Sequence, residues 1–132
     1  VGQYTRIGSA WQRQPMQLGY SLSVQDAVTT VLTSANQVVF LVAVPAAYVY
    51  VYLSIAVINL TRAMTSTYIE VYTPQVFPVL DSAGVAAQRW DMIRDMVVVP
   101  AGGQVRAVAG GSQIGDSVVI RALGYGFNVA GL

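Results

Sequence analysis

A chain of 132 residues with seven arginines, six carboxylates, no cysteine and no histidine fits one domain and excludes several chemistries at once. Disulfide frameworks and thiolate metal sites need cysteine, and histidine is the usual general base and the commonest metal ligand. Only 10% of the residues are charged, against about 25% in a soluble domain. A net charge of +1, spread from Arg6 to Arg121, offers no clustered basic patch for direct nucleic-acid binding.

Residues 27–61, between Asp26 and Arg62, carry no charge at all and are mostly Val, Ala, Tyr, Leu and Ile. A domain of this size leaves about a third of its unfolded-chain surface outside after folding. Apolar area left there marks a lasting contact with another chain or with lipid. Lysine is absent, so every cation is arginine, which fits either a GC-rich coding bias or selection for interface cations.

In chain order, residues 1–17 are polar and irregular and read as an extended N-terminal arm; residues 18–132 read as one β-sandwich domain. The first 30 residues lack the charged head, apolar run and cleavage site of a secretory signal. Val1 fits either loss of an initiator methionine or cleavage from a precursor. Leu18–Val24 alternates as a strand, and Ala27–Thr33 is rich in Val and Thr and reads as another, although Asp26 could cap a short helix. Asn36 and Gln37 make a turn before Val38–Val44.

Residues 38–58 are uncharged over a length that could span a bilayer as a helix. Pro45 and the alternation of Tyr48, Tyr50 and Tyr52 with Val49, Val51 and Leu53 argue instead for strands and against a membrane span. The strand running from Tyr48 to Leu60 has no polar face. Strict alternation assigns Val49, Val51, Leu53, Ile55 and Val57 to the core. Tyr48, Tyr50, Tyr52, Ser54, Ala56 and Ile58 then form a second apolar face for a subunit or another layer. On that assignment Val51→Asp disrupts the core and Tyr50→Asp dissociates an oligomer.

Thr67–Thr73 alternates cleanly, and Pro74 and Pro78 bracket a loop crossing. Asp81–Met96 is the one plausible short helix, with Ser82 as cap and Trp90, Ile93 and Met96 as its stripe; a strand through Arg89–Arg94 is the rival. Val97–Val99, Gln104–Val108 and Ser117–Leu123 follow as strands. Paired glycines at 102–103 and 110–111 turn the chain, and Gly124-Tyr125-Gly126 leads to the tail. Seven to nine short strands at regular spacing indicate an all-β, jelly-roll-like sandwich.

No catalytic, cofactor or metal site emerges, and the chain does not read as an enzyme. Asp91 and Asp95 share a face on the helical reading, where with Arg89 and Arg94 they fit a salt-bridge network better than a glycosidase pair. Ser112 lacks both a base and the nucleophile-elbow spacing. Asn59-Leu60-Thr61 matches a glycosylation acceptor at the end of an apolar strand. Trp11, Trp90 and the tyrosines could stack on sugar. The interface candidates are Gln3, Tyr4, Arg6, Trp11 and Arg13 in the arm, with Tyr48, Tyr50 and Tyr52.

With its sandwich, neutral surface, glycine-paired turns and terminal arm, the chain resembles small virus structural proteins. More narrowly it is similar to the decoration, or cement, proteins that bind the outside of tailed-phage capsids, often as trimers. That resemblance rests on general style and implies a virion protein on a capsid surface. It would form a homo-oligomer, with a trimer favoured, and hold other capsid subunits through apolar faces and the arm. The alternative is a sugar-binding sandwich of a fibre, tailspike or secreted adhesin, with a glycan as partner.

Overall fold

The structure is a computed structural model describing residues 4–7, 10–13, 21–86 and 88–130, with side chains from residue 22 onward. It contains no helix among the described residues. Strands β1 (Tyr4–Ile7) and β2 (Ala10–Arg13) pair antiparallel as a separate hairpin within the segment read as an arm. The remaining strands form two antiparallel sheets. One holds β3 (Ser21–Val31), β11 (Ser117–Asn128), β5 (Tyr48–Asn59) and β8 (Asp91–Ile93) in that order, with β9 (Val97–Val99) also on β5. The other holds β4 (Val38–Phe40), β10 (Gln104–Gly110), β6 (Ser66–Thr73) and β7 (Gln75–Ser82).

If β8 and β9 are taken as one broken strand, the sheet orders are first–eighth–third–sixth and second–seventh–fourth–fifth. That is the order of a jelly roll, and it bears out the sandwich expected from the sequence. The core lies between the sheets. Ile55, Val57, Ile120 and Ala122 from one sheet meet Ile69, Val105 and Ala107 from the other, each at most 1% exposed. Burying each Val- or Ile-sized side chain contributes about 1.5–3 kcal/mol, and alternation supplies such residues at every second position.

β5 departs from strict alternation. Ser54 pairs with Leu123 and Tyr52 with Gly124, so Leu53 is an extra residue in a bulge. Cross-strand partners share a face, so Tyr48, Tyr50 and Tyr52 point into the sandwich before the bulge, and Ile55, Val57 and Asn59 after it. Val49, Val51, Ser54, Ala56 and Ile58 point outward. This corrects the assignment of Val51 to the core layer and of the tyrosines to a second face. The glycines opposite explain how the rings fit. A Cβ on Gly126 would lie 2.8 Å from the Tyr50 ring, and one on Gly124 would lie 2.0 Å from the Val51 carbonyl oxygen. The three rings stack edge to face, at 6.3 Å for Tyr48–Tyr50 and 6.0 Å for Tyr50–Tyr52.

Three further expectations are corrected. Asp81–Met96 is not helical. β8 and β9 pair with the second edge of β5, at Val57–Ile55 and at Tyr52–Tyr50. Without them a nearly buried strand would leave its backbone groups unsatisfied, which outweighs the helix propensity of local alanines. Ser82 accordingly ends β7, where its hydroxyl donates to Asp91. The stretch from Pro74 to Pro78 is strand rather than loop: β7 pairs with β6 through a tight turn and tolerates Pro78 at an irregularity on a sheet edge. Finally, the two strands expected around Asp26 are a single one, β3, paired with β11 without interruption from Ser21 to Val31; residues 18–20 lie outside the described residues.

Candidate assembly surfaces

The outer face of the five-stranded sheet is the most unusual surface of the molecule. Its outward positions are Ser23, Gln25, Ala27, Thr29 and Val31 on β3, Val119, Arg121, Leu123, Tyr125 and Phe127 on β11, and Val49, Val51, Ser54, Ala56 and Ile58 on β5, of which Val51 (7% exposed), Ala56 (1%) and Ile58 (4%) are already covered within the chain. Val31 (62% exposed), Val98 (55%) and Leu123 (41%) are open to solvent. Arg121 is the one charge on these three strands' outward positions, and its guanidinium stacks 4.3 Å from the centroid of the Trp90 ring. Antiparallel sheets ordinarily wet such a face with polar residues.

The four-stranded sheet's outer face differs. Row by row it places Val38, Val108 and Tyr68 across one register, Phe40, Arg106 and Glu70 across the next, and Gln104 and Tyr72 beyond. Arg106 forms an ion pair with Glu70 and lies 4.3 Å over the Tyr72 ring, so its charge is locally satisfied. The Glu70 carboxylate in turn raises the phenol pKa of Tyr68. At one open end of the sandwich a cleft of about 610 Å³ separates β7 from β9, lined by Phe77, Val79, Ile93, Asp95, Met96 and Val98.

Polar side chains hold the ends and flank. Asp116, 1% exposed, accepts two bonds from Arg62 (Nε to Oδ2 2.6 Å, Nη2 to Oδ1 2.9 Å), one from Asn59 Nδ2 (3.0 Å) and one from the Gln113 N–H (2.9 Å). The Arg62 bonds, supported by Asn59 and Gln113, hold its carboxyl well below the usual carboxylate range against the opposing effect of burial. This use of Asn59, itself 1% exposed, removes the expected glycosylation acceptor from solvent. On the flank, the Tyr52 hydroxyl donates to Asp26 Oδ2 at 2.9 Å. Burial first, then the Asp26 carboxylate, pushes that phenol far above its ordinary value.

The expected interface residues fall in two groups. Gln3 lies outside the described residues; in the hairpin register Tyr4 stands opposite Arg13, and Arg6 opposite Trp11. Tyr52 is buried at 1% exposure, and Tyr48 and Tyr50 are half-buried against the core. Arg89, Asp91, Arg94 and Asp95, expected as a solvated or intersubunit network, make no ion pair within the chain; the ion pairs among the described residues are Arg62–Asp116 and Arg106–Glu70. Residues that sequence reading missed include Phe40, Tyr72, Arg106, Arg121 and Leu123. The clean alternation of residues 67–73 could have flagged Tyr72. Among the described residues no group of three or more Asp, Glu, His or Cys could hold a metal, and no helix is long and apolar enough to cross a membrane.

No family model matches the sequence, and no curated protein matches it. Solved structures do resemble it, one with a TM-score above 0.5. A chain from the structure of infectious bursal disease virus, Gx strain, superposes with a TM-score of 0.51 at 10% identity over 99% of this chain. This chain spans 40% of the length of that one. A chain of the Gt strain gives 0.46 at 11% identity, covering 96% of this chain and 37% of that one. The N-terminal cellulose-binding domain of a Cellulomonas fimi β-1,4-glucanase gives 0.36 at 15% identity, covering 77% and 78%. The first likeness supports a jelly-roll-like β-sandwich as the class of fold.

Proposed function

We propose that this chain is a structural protein of a virion, of the decoration or minor capsid kind, seated at the capsid surface. The observation that carries the reading is the outer face of β3 and β11: a sheet surface with Val31 and Leu123 exposed, whose one charge is stacked on a tryptophan. The jelly-roll likeness to a chain of infectious bursal disease virus supports it. Copies would meet through this face as a homo-oligomer, a trimer being favoured, and segment 1–17 with its hairpin would reach onto other shell subunits. A stable contact of this kind buries about 600–800 Å² per chain, and repeated sites on a shell multiply a modest affinity.

The test is light scattering at several concentrations, followed by co-sedimentation with shells of the source virus. A persistent oligomer that binds shells, with binding but not oligomer or fold lost on deletion of residues 1–17, is the expected result. A stable monomer that ignores shells overturns the reading.

A second reading is favoured by one specific observation. Phe40 (41% exposed) and Tyr72 (39%), with Tyr68, Gln104 and Arg106, make an aromatic and polar platform on the opposite sheet. Such a surface suits the flat apolar face of a sugar. Glycan-array binding lost in Tyr72→Ala would establish it. Trp90 is not part of this platform, because it lies beside Arg121 on the other sheet.

A further inference from the structure

The sheet edges of this sandwich are not treated alike. β4, β8 and β9 are three residues each. β7 carries Pro78 at an irregular pairing. Short length, proline and bulges are the devices by which proteins keep an edge from pairing with another chain. β3 has none of them. It runs for 11 residues, pairs with β11 without a break, contains no proline, lysine or arginine, and is rich in Val and Thr. Among the described residues no strand pairs with its other edge, and the β1–β2 hairpin forms a sheet of its own.

The backbone groups on that edge can be identified. The Leu32 N–H donates to the Asp116 carbonyl, and the Leu32 carbonyl accepts from Gly115. Alternate residues of an antiparallel strand face the same neighbour, so Thr30, Val28, Asp26, Val24 and Leu22 bond to β11. Ser23, Gln25, Ala27, Thr29 and Val31 therefore turn their N–H and C=O groups to the open side. Leu22 and Val28, which point inward, are only half-buried there and pack at the margin of the core.

We propose that β3 pairs with β3 of a second copy, antiparallel about a two-fold axis at Ala27, joining the two five-stranded sheets into one. An antiparallel edge is complementary to itself, and no exposed like charge opposes the approach. The two-fold position follows from Asp26 and Val31 together, because an axis at Gln25 would leave Val31, 62% exposed, outside the pairing. An axis at residue 26 would set Asp26 against its own copy, and like charges directly opposite are destabilising. An axis at Ala27 sets Asp26 opposite Val28, Gln25 opposite Thr29, and the exposed Val31 opposite Ser23. Residues 23–31 of each chain then pair. This inference is independent of the virion reading, since it concerns only a second copy of the chain.

The test exploits the absence of cysteine, which makes any introduced thiol unique. A hydrogen-bonded antiparallel pair has Cα atoms about 5.5 Å apart, within disulfide reach. Under mild oxidation Ala27→Cys should give a covalent dimer. Ile114→Cys, exposed in the turn before β11 and away from that edge, should not. Hydrogen exchange at the Gln25, Ala27 and Thr29 amides should be slow in the oligomer. It should quicken by at least about tenfold in Ala27→Lys, which should fold normally with half the mass. An Ala27→Cys protein that stays uncrosslinked overturns the pairing. So does protection of those amides that vanishes on deleting residues 1–17 while the mass per particle falls only by the deleted segment, which would make the arm the occupant.

Discussion

Tyr52→Phe isolates one bond at the flank of the core. Tyr52 is 1% exposed, and its hydroxyl reaches Asp26 Oδ2 at 2.9 Å. Phenylalanine keeps the ring, so no cavity opens and the loss is confined to the hydrogen bond. A bond to a charged acceptor is worth about 1.5–3 kcal/mol. Asp26 lies half-buried on an open strand where water can replace part of it, which puts the cost near the lower end, about 1.5 kcal/mol. With a slope of about 1.5 kcal/mol/M, the urea midpoint should fall by about 1 M with the slope unchanged, at fixed protein concentration. Asp26→Asn combined with Tyr52→Phe should cost less than the sum of the two single changes by at least about 0.5 kcal/mol. An unchanged midpoint, or strict additivity, refutes the inward orientation of this tyrosine. A change in particle mass with the midpoint intact would restore the interface role first expected of it.

The same phenol governs the alkaline limit. Its folded pKa is raised, so the fold holds it neutral and loses stability as pH climbs above the ordinary phenol value of about 10. Ultraviolet titration should show Tyr52 ionising only as the protein unfolds; reversible ionisation in the native state would contradict its burial. At the acid end the sign is opposite. Asp116 is depressed in the fold, so its contribution is complete above about pH 4 and is lost as pH falls below that value toward its folded one. Thermal midpoints should therefore drop below pH 4 in the native chain and drop less in Asp116→Asn, and identical acid limbs would argue against the Arg62–Asp116 bond. On the outer sheet face, Leu123→Glu should leave stability within about 0.5 kcal/mol while lowering the oligomer mass. An unfolded Leu123→Glu protein would show that the face is internal.

How much of this was legible in the sequence depends on how local the information was. Thr67–Thr73 could be read because its alternation is unbroken and its tyrosines and Glu70 mark the outer face. The interruption in β5 could not. An inserted residue leaves no local sign, since Leu53 is as apolar as its neighbours, and the phase change appears only in the pairing of Ser54 with Leu123 and of Tyr52 with Gly124. Gly124 and Gly126 did carry a signal, but it concerned the rings across the strand rather than a turn into the tail. The failed helix at 81–96 has the same origin. Ala83, Ala86 and Ala87 favour a helix locally, whereas what fixes this segment is the unmet backbone of β5, more than thirty residues earlier in the chain. The lack of thiol and imidazole side chains was readable from composition, because it depends on what is present rather than where it folds.

The placement of charge gives the last step. Arg62 and Arg106 are paired with carboxylates, Arg121 is stacked on Trp90, and Asp26 receives the Tyr52 hydroxyl. Asp91 likewise receives the Ser82 hydroxyl, and of the charges on the described side chains that leaves Asp81, Arg89, Arg94 and Asp95, all within one short stretch beside β8. Desolvating such charges without partners costs several kcal/mol each, so an assembly formed by apolar contact should leave residues 81–95 in water. Trypsin should then cut after Arg89, in the exposed turn that follows Gln88, as fast in the oligomer as in dilute protein. Modification of the Arg121 guanidinium by phenylglyoxal should be suppressed in the oligomer, because the contact face covers it. Equal protection of Arg89 and Arg121 would place the charged stretch inside the contact and reverse the orientation argued here.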